Sequence, residues 1–218
     1  MLELLFPERC AVCARPGAAL CKSCRADFVR LGPPVCERCG SPGHWPVRRC
    51  AECSGRRLAF AHARAGVVYE SRAKAFVRSW KEHGRRRLAA DAAALIAEVI
   101  APPDVDALAH VPGDPERAWK RGVVPPRGLA VALGELWGLP TCEPLLRAHS
   151  LPRQRGLALA DRRRNVRGSV LAEGAVPSAV CLVDDVYTSG ATADACASAL
   201  RRAGARRVDV VTFARAVR

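Results

Sequence analysis

From residue 61 onward, apolar and polar positions follow two different periods. Apolar side chains recur at three- and four-residue spacing in four stretches, which predicts four amphipathic helices. These stretches are residues 73–80, 88–99, 127–137 and 192–203. Three apolar runs are too short for a helix and predict buried strands. These runs are residues 107–111, 180–183 and 208–213. Pro102, Gly138 and Gly204 follow predicted helices, where such residues are expected.

The order of these elements predicts the fold class. Strands that alternate with helices of about 10–15 residues are typical of crossover connections between parallel strands. We therefore expect an α/β domain with a doubly wound parallel sheet, preceded by a small cysteine-rich module. Ligands of such sheets bind at the carboxyl ends of the strands, so functional residues are expected directly after the predicted strands.

Eight of the eleven cysteines lie near the start of the chain and form four Cys-x-x-Cys pairs. The pairs are Cys10/Cys13, Cys21/Cys24, Cys36/Cys39 and Cys50/Cys53. Each pair directs two sulfur atoms at one centre, and two pairs complete a tetrahedral thiolate site for Zn²⁺. We predict two structural zinc ions, held by consecutive pairs or by a cross-braced arrangement in which the first pair joins the third.

The zinc module is expected to span residues 1–60 and the sheet domain residues 61–218. The module has few large apolar side chains, so metal binding must supply much of its folding free energy. The first residues do not resemble a secretory signal, and no run approaches the ~18–20 apolar residues of a membrane span. We expect a cytoplasmic protein, in which zinc sites are favoured over disulfides.

Charge narrows the range of partners. The chain has 35 basic and 21 acidic residues and a formal net charge of +14. A GC-rich genome would explain the preference for arginine over lysine, but it would not explain why basic residues outnumber acidic residues. This excess favours polyanionic partners, either nucleic acid or phosphorylated small molecules.

The segment 180–192 carries the most specific chemistry. Its apolar run leads into Asp184 and Asp185, whose carboxylates can accept hydrogen bonds from ribose hydroxyls and favour Mg²⁺. A small loop follows and leads into a helix; it consists of Thr188, Ser189, Gly190, Ala191 and Thr192. Backbone N–H groups at a helix N-terminus bind phosphate, and glycine permits close approach. A helix cap would explain one aspartate but not this combination, so the segment predicts a site for phosphoribosyl pyrophosphate with Mg²⁺.

This segment resembles the phosphoribosyltransferase fingerprint almost position for position, with Tyr187 in place of the usual aliphatic residue. The whole chain resembles the ComF (ComFC) family of competence-associated proteins, which place a cysteine-rich zinc module ahead of a phosphoribosyltransferase-like domain. This second resemblance rests on Gln154-x-Gly156-Leu157 and on the sequence RRRNVRG at residues 162–168. It implies a type I phosphoribosyltransferase-like fold and a role in the uptake of single-stranded DNA, with other DNA-uptake proteins as partners.

The resemblance also implies roles for individual residues. Asp184 and Asp185 would hold the ribose as catalytic residues, and the loop 188–192 would bind the 5′-phosphate. Three basic residues would lie near the pyrophosphate: Arg117, Lys120 and Arg121. After Arg121-Gly122 the family commonly has Phe-Asn-Gln, whereas this chain has Val-Val-Pro. This departure weakens the expectation of catalytic turnover more than the expectation of ligand binding.

Residues 147–167 contain seven arginines and one acidic residue. The segment is interpreted as a hood that closes over pyrophosphate, as a track for single-stranded DNA, or as a solvated loop. Aromatic side chains usually accompany single-strand binding, and the segment has none, which favours the hood. Asn165 and Arg167 are the first candidates for ligand contacts.

Two functions remain open from the sequence. The first is an enzyme that transfers a 5-phosphoribosyl group to an unidentified nitrogenous acceptor with the help of Mg²⁺. The second is a non-catalytic protein that handles single-stranded DNA during natural transformation and keeps the fold and ligand site.

Overall fold

The computed structural model describes residues 8–82, 84–116, 119, 122–147 and 170–217. A five-stranded sheet lies at its centre, and all of its neighbouring strands are parallel. Its strands are β1 (Ala63–Val68), β2 (Ala107–His110), β3 (Thr141–Cys142), β6 (Ala179–Tyr187) and β7 (Arg207–Arg215). The order across the sheet is β1-β7-β6-β2-β3. A separate antiparallel pair consists of β4 (Leu145–Arg147) and β5 (Val170–Ala172). The predicted parallel sheet is confirmed.

The described residues form five helices; four follow the predicted periodicity with shifted ends, and the short first one was not predicted from the sequence. They are α1 (Lys22–Ala26), α2 (Ser71–Glu82), α3 (Leu88–Ala97), α4 (Pro125–Trp137) and α5 (Ala191–Arg202). Helix α4 begins at Pro125, earlier than predicted, because a proline fits the first turn, where its missing N–H is not needed. The same helix ends at Gly138, whose φ of 67° lies in the left-handed region that favours glycine.

Helices cover both faces of the sheet, as expected for a doubly wound fold. Successive residues of a strand point to opposite faces. Cys181 and Val183 of β6 belong to a core that includes α2, α3 and α4, whereas Val180 and Leu182 belong to a core that includes α5. Among the described residues, none of the helices combines the length and the apolar character needed to cross a membrane.

The first half of the cysteine-rich module packs against the face that carries α2. The ring of Phe28 contacts Phe76 and Phe213 edge-on, at centroid distances of 5.8 and 5.9 Å. The adjacent segment pairs antiparallel with β1, because the N–H of Leu31 donates to the carbonyl of Gly66 at 2.9 Å. This pairing covers the outer edge of β1, which would otherwise expose unpaired backbone groups.

The second half of the module packs against the opposite face. Cys36, Cys39 and Cys53 are almost fully buried and share a core with the α5 side of the sheet. The module therefore has no separate hydrophobic core of its own among the described residues. The division of the chain at residues 60 and 61 into a metal-binding module and a ligand-binding domain stays a prediction.

Candidate functional site

The direction of the chain through the sheet reverses between β2 and β6. The chain leaves β2 toward β3 and leaves β6 in the opposite direction, toward β7. The loops after these strands therefore diverge and open a crevice at the carboxyl ends. A cleft of ≈ 350 Å³ lies there, between residues 111–113, which follow β2, and Asp184, Asp185, Thr188 and Thr192. The structure thus brings both predicted carboxylates and two residues of the predicted phosphate loop, Thr188 and Thr192, to one cleft.

Both carboxylates lie within β6 rather than after it. The strand was expected to end at residue 183, but it continues to Tyr187 because it keeps pairing with β7 after β2 has ended. His110 of β2 is opposite Val183, and the next residue, Asp184, is paired with Thr212 of β7. Continued pairing therefore holds the carboxylates on a rigid strand at the floor of the cleft.

Asp185 is 6% exposed and forms an ion pair with Lys81. Its Oδ2 lies 2.7 Å from Nζ of Lys81, which comes from the last turn of α2 and also lines the cleft. Lys81 was not among the site residues expected from the sequence. A signal was present, because Lys81 is one of only four lysines in an arginine-rich chain and directly follows a predicted helix.

Asp184 has an unusual proton affinity. Burial and the neighbouring charge of Asp185 raise its pKa to about 7, although the N–H of Asp185 and the cations Lys81 and Arg147 act in the opposite direction. The N–H of Asp185 donates to Asp184 Oδ1 at 2.8 Å. The two carboxylates therefore hold less than their full charge near neutral pH, and a cation bound between them would favour full ionisation.

The loop after β6 leaves the start of α5 open. Gly190 is the N-cap residue with a φ of 71°, and it has no side chain that could form a capping hydrogen bond to this helix. Ser189 Oγ accepts a long hydrogen bond of 3.4 Å from the N–H of Ala191. Thr188 is exposed and Thr192 half-buried, and both line the cleft. The loop combines hydroxyl groups with the positive end of a twelve-residue helix, an arrangement that suits a phosphate group.

Tyr187 supports this loop from below. Its ring is almost fully buried and contacts Phe60 edge-on, at a centroid distance of 6.4 Å. A Cβ atom at Gly190 would collide with the tyrosine hydroxyl, so glycine is required at this position for space as well as for its positive φ. Tyr187 therefore packs directly against the loop that was predicted to bind phosphate.

Several predicted ligand contacts cannot be placed at this cleft. Arg117, Lys120, Arg121, Asn165 and Arg167 lie outside the described residues, as does the whole of 148–169, which contains the rest of the arginine-rich segment. The first arginine of that segment, Arg147, is described and lines the cleft. Its Nε donates to the carbonyl of Pro112 at 3.2 Å, which fixes the side chain beside the carboxylates.

The eight cysteines form two groups of four, and the groups follow the consecutive pairing. One group consists of Cys10, Cys13, Cys21 and Cys24, and the other of Cys36, Cys39, Cys50 and Cys53. Sγ–Sγ distances include 3.7 Å in the first group and 3.5, 3.7 and 3.9 Å in the second. A tetrahedral Zn²⁺ with bonds of about 2.3 Å requires sulfur atoms about 3.8 Å apart. Both groups fit structural zinc.

Backbone groups around the second site favour the thiolate form of Cys36, whereas burial raises the pKa of Cys39 and of Cys53. Burial acts to raise the pKa of Cys36, but backbone N–H groups lower it to about 7. One of these donors is the N–H of Cys50, 3.3 Å from the sulfur of Cys36. Since zinc binds thiolates rather than thiols, these hydrogen bonds prepare Cys36 as a ligand for the metal.

Comparisons with known proteins agree with this two-part organisation. Residues 1–56 match the family described as double zinc ribbon domain. Over 223 residues, the chain is 28% identical to the DNA utilization protein YhgH of Salmonella typhi, with 95% of this chain and 96% of the relative covered. The protein of the same name from Salmonella typhimurium is 27% identical, with the same coverage.

Two solved structures are also similar over part of the chain. One is described as the allosteric regulatory enzyme of purine biosynthesis, with 25% identity over 60% of this chain and a TM-score of 0.41. The other is glutamine phosphoribosylpyrophosphate amidotransferase from B. subtilis, with 23% identity over 60% of this chain and a TM-score of 0.38. The chain spans about a quarter of each of those longer chains (26%). The prediction of a zinc-binding module ahead of a parallel sheet with helices is confirmed, by the two cysteine groups, the matched ribbon and the sheet itself.

Proposed function

We propose that the chain is a phosphoribosyltransferase-like protein of the ComF type that binds phosphoribosyl pyrophosphate with Mg²⁺ in the cleft between β2 and β6. One observation carries the proposal: the carboxylates of Asp184 and Asp185 lie on the same cleft as Thr188 and Thr192 at the start of α5, at the point where the strand order reverses. Carboxylates suit ribose hydroxyls and a divalent cation, and the helix start suits the 5′-phosphate.

In this proposal each group of the ligand has a partner from this chain. The loop 188–192 binds the 5′-phosphate through its N–H and hydroxyl groups, and Asp184 and Asp185 accept hydrogen bonds from the ribose. Mg²⁺ supplies neutralisation of the pyrophosphate charge. Arg147 lines the cleft beside the carboxylates, and Arg117, Lys120, Arg121, Asn165 and Arg167 remain predicted pyrophosphate contacts. In an enzyme, a bond from C1 of the ribose to a nitrogen of the acceptor would replace the bond to pyrophosphate.

Thermal unfolding tests the binding site. Phosphoribosyl pyrophosphate with Mg²⁺ should raise the Tm, because a ligand at ~100 times its Kd stabilises the folded state by about 2.7 kcal/mol. Replacing Asp184 and Asp185 together by Ala should remove most of this shift. A matched control replaces two exposed carboxylates, Asp104 and Glu135, and should keep the shift. An equal shift in both double variants would show that the carboxylate pair does not face the ligand.

A second candidate function is the non-catalytic handling of single-stranded DNA during uptake. Two observations favour it: the net charge of +14, and full-length relatives that carry the name DNA utilization protein. Direct binding should then weaken steeply with salt, with a log–log slope of about −0.7 for each phosphate neutralised. Changing Arg162, Arg163 and Arg164 to Ala should reduce that slope.

Turnover separates the two functions. Release of pyrophosphate in the presence of a candidate base would establish a transferase. Ligand binding without release for any tested base, together with salt-dependent DNA binding, would favour DNA handling. A cytoplasmic location and contacts with other DNA-uptake proteins belong to the same proposal and stay predictions.

A further inference from the structure

The second zinc ribbon, which contains Cys36, Cys39, Cys50 and Cys53, contacts the candidate phosphate loop directly. Three residues after its last cysteine, the Nη1 of Arg56 donates to the carbonyl oxygen of Ser189 at 2.7 Å. A little further along, the N–H of Ala59 donates to Oδ1 of Asp194 in the first turn of α5, also at 2.7 Å. The segment that follows the second metal site is therefore hydrogen-bonded both to the loop and to α5, the helix after the loop.

Arg215 also connects the second zinc ribbon with the loop, through buried contacts. This last residue of β7 is 1% exposed, and its guanidinium donates to the carbonyl of Cys39 and to Oε2 of Glu52, both at 2.7 Å. Its Cζ also lies 4.4 Å from the centre of the Tyr187 ring, in the geometry of a cation–π contact. Tyr187 in turn fills the space beneath Gly190. A buried chain of contacts thus runs from a zinc ligand to the loop.

These contacts hold the loop without using its N–H groups. Arg56 bonds to a carbonyl oxygen, Ala59 bonds to a side-chain carboxylate, and Tyr187 supports the loop by packing. The N–H groups at the start of α5 therefore keep their capacity to bind an anion, although that of Ala191 also donates a long hydrogen bond of 3.4 Å to Ser189 Oγ. A loop held in its binding conformation before the ligand arrives loses less conformational entropy on binding, so its affinity is higher.

We propose that the second zinc ribbon is a structural part of the phosphate site and that Arg56 is its positioning residue. Metal binding by Cys36, Cys39, Cys50 and Cys53 orders the segment that carries Arg56 and Ala59, and this segment holds the loop in place. The inference rests on the proposed function of the cleft. It adds that zinc at the second site and the phosphoribosyl ligand bind cooperatively, each increasing the affinity for the other by the same factor.

The first experiment needs no ligand. Backbone amide hydrogen exchange of residues 188–195 is compared in the zinc-loaded full chain, in Arg56→Gln and in Arg57→Gln, which changes the neighbouring arginine. Exchange should be about 3- to 10-fold faster in Arg56→Gln, the factor that corresponds to the net contribution of one hydrogen bond. Arg57→Gln should exchange like the unchanged chain. Asp194→Ala, which removes the acceptor of the Ala59 contact, should have an effect similar to that of Arg56→Gln. Unchanged exchange in both Arg56→Gln and Asp194→Ala would overturn the inference.

The second experiment measures the coupling itself. Calorimetry with ribose 5-phosphate should give a Kd about 3- to 10-fold weaker for Arg56→Gln than for Arg57→Gln. Zinc release to a chelating dye should be slowed by ribose 5-phosphate for one of the two ions in the unchanged chain, and less so in Arg56→Gln. Equal affinities in the two variants would overturn the inference and leave the proposed function intact. Faster exchange in Arg56→Gln, with no ligand bound by any form of the chain, would refute the proposed function and support the positioning role alone.

Discussion

Three charged side chains set the properties of the cleft at the residue scale. Asp185 is neutralised by Lys81 at 2.7 Å, whereas burial and the charge of Asp185 raise the pKa of Asp184 to about 7. The pair is therefore stable in a ligand-free cleft, because its negative charge is partly neutralised by a lysine and partly by a proton. When a cation or a ribose hydroxyl binds to such a site, it replaces the proton on one carboxylate or the lysine contact of the other.

Replacing Asp184 by Asn should stabilise the ligand-free protein at alkaline pH. The ordinary pKa of aspartate in an unfolded chain is about 3.9. Between that value and about 7 the folded state binds more protons, so the stability of the unchanged chain falls as pH rises through this range and then levels off. The substituted amide does not ionise, so the variant should have the higher Tm at pH 8, and the difference should shrink toward pH 6. Melting curves in zinc-containing buffer without Mg²⁺ measure this, with the exposed Asp104→Asn as control. An equal difference at both pH values would contradict the assignment.

Gly190→Ala tests the contact between the loop and Tyr187. Gly138 is a matched control, because its φ of 67° is close to the 71° of Gly190, but no atom lies within 4 Å of the place where its Cβ would be. Gly138→Ala should cost about 1–2 kcal/mol for the backbone conformation alone. Gly190→Ala should cost about 1–3 kcal/mol more, because the added methyl collides with the ring below. Urea unfolding measures both variants. Equal costs would show that Tyr187 does not support the loop.

At the scale of elements, the first zinc ribbon completes the edge of the sheet. Backbone pairing at Leu31 and Gly66 extends the sheet beyond β1, and Phe28 inserts among the aromatic rings of α2 and β7. Arg25 and Arg30 add ion pairs of 2.6 and 2.8 Å to Glu98 just after α3. Backbone pairing, packing and charge therefore attach this ribbon to several different elements.

Phe28→Ala should destabilise the whole sheet domain and not the ribbon alone. Truncation of a buried phenylalanine typically costs about 3–5 kcal/mol, and we expect a cost of this size here. Its neighbour Val29 is 48% exposed, and Val29→Ala should change the free energy of unfolding by less than about 1 kcal/mol. Urea unfolding of the zinc-loaded chain, followed by tryptophan fluorescence, measures both. A cost for Phe28→Ala as small as that for Val29→Ala would contradict the shared core.

At the scale of the whole molecule, metal sites and hydrophobic core form one structure. The first cysteine group has Cys10 and Cys24 in the core with α2, α3 and α4, and the second has Cys36, Cys39 and Cys53 in the core with α5. We therefore expect the loss of either metal to disturb one face of the sheet and, with it, the stability of the cleft.

Cys36→Ser should reduce the zinc content from two ions per chain to one and lower the Tm of a single unfolding transition. Cys36 is 1% exposed and shares its core with the sheet, so the lost metal should not unfold the ribbon separately. Elemental analysis and calorimetry measure the two effects. Cys142→Ser, at a half-buried cysteine outside both groups, is the control and should keep two zinc ions. A second, separate transition in Cys36→Ser would indicate that the ribbon unfolds independently, and less than one zinc ion in the unchanged chain would contradict the metal sites.

The features that depend on local spacing could be predicted from the amino-acid sequence. Cys-x-x-Cys turns place two sulfurs at one centre, apolar periodicity defines helix faces, and the run from Asp184 to Thr192 places carboxylates, glycine and hydroxyls within one strand–loop–helix unit. These arrangements are set by backbone geometry over a few residues. These arrangements therefore do not depend on tertiary contacts.

Contacts between residues that are distant in the chain depend on the folded arrangement and could not be predicted. The chain order does not reveal that β6 lies between β2 and β7, and this position extends β6 to Tyr187 and puts the carboxylates on a strand. Lys81 reaches Asp185 from another helix, Arg56 reaches Ser189 across 133 positions, and Arg215 reaches Cys39 across 176. No spacing rule encodes such pairs, because the packing of two cores against one sheet brings them together.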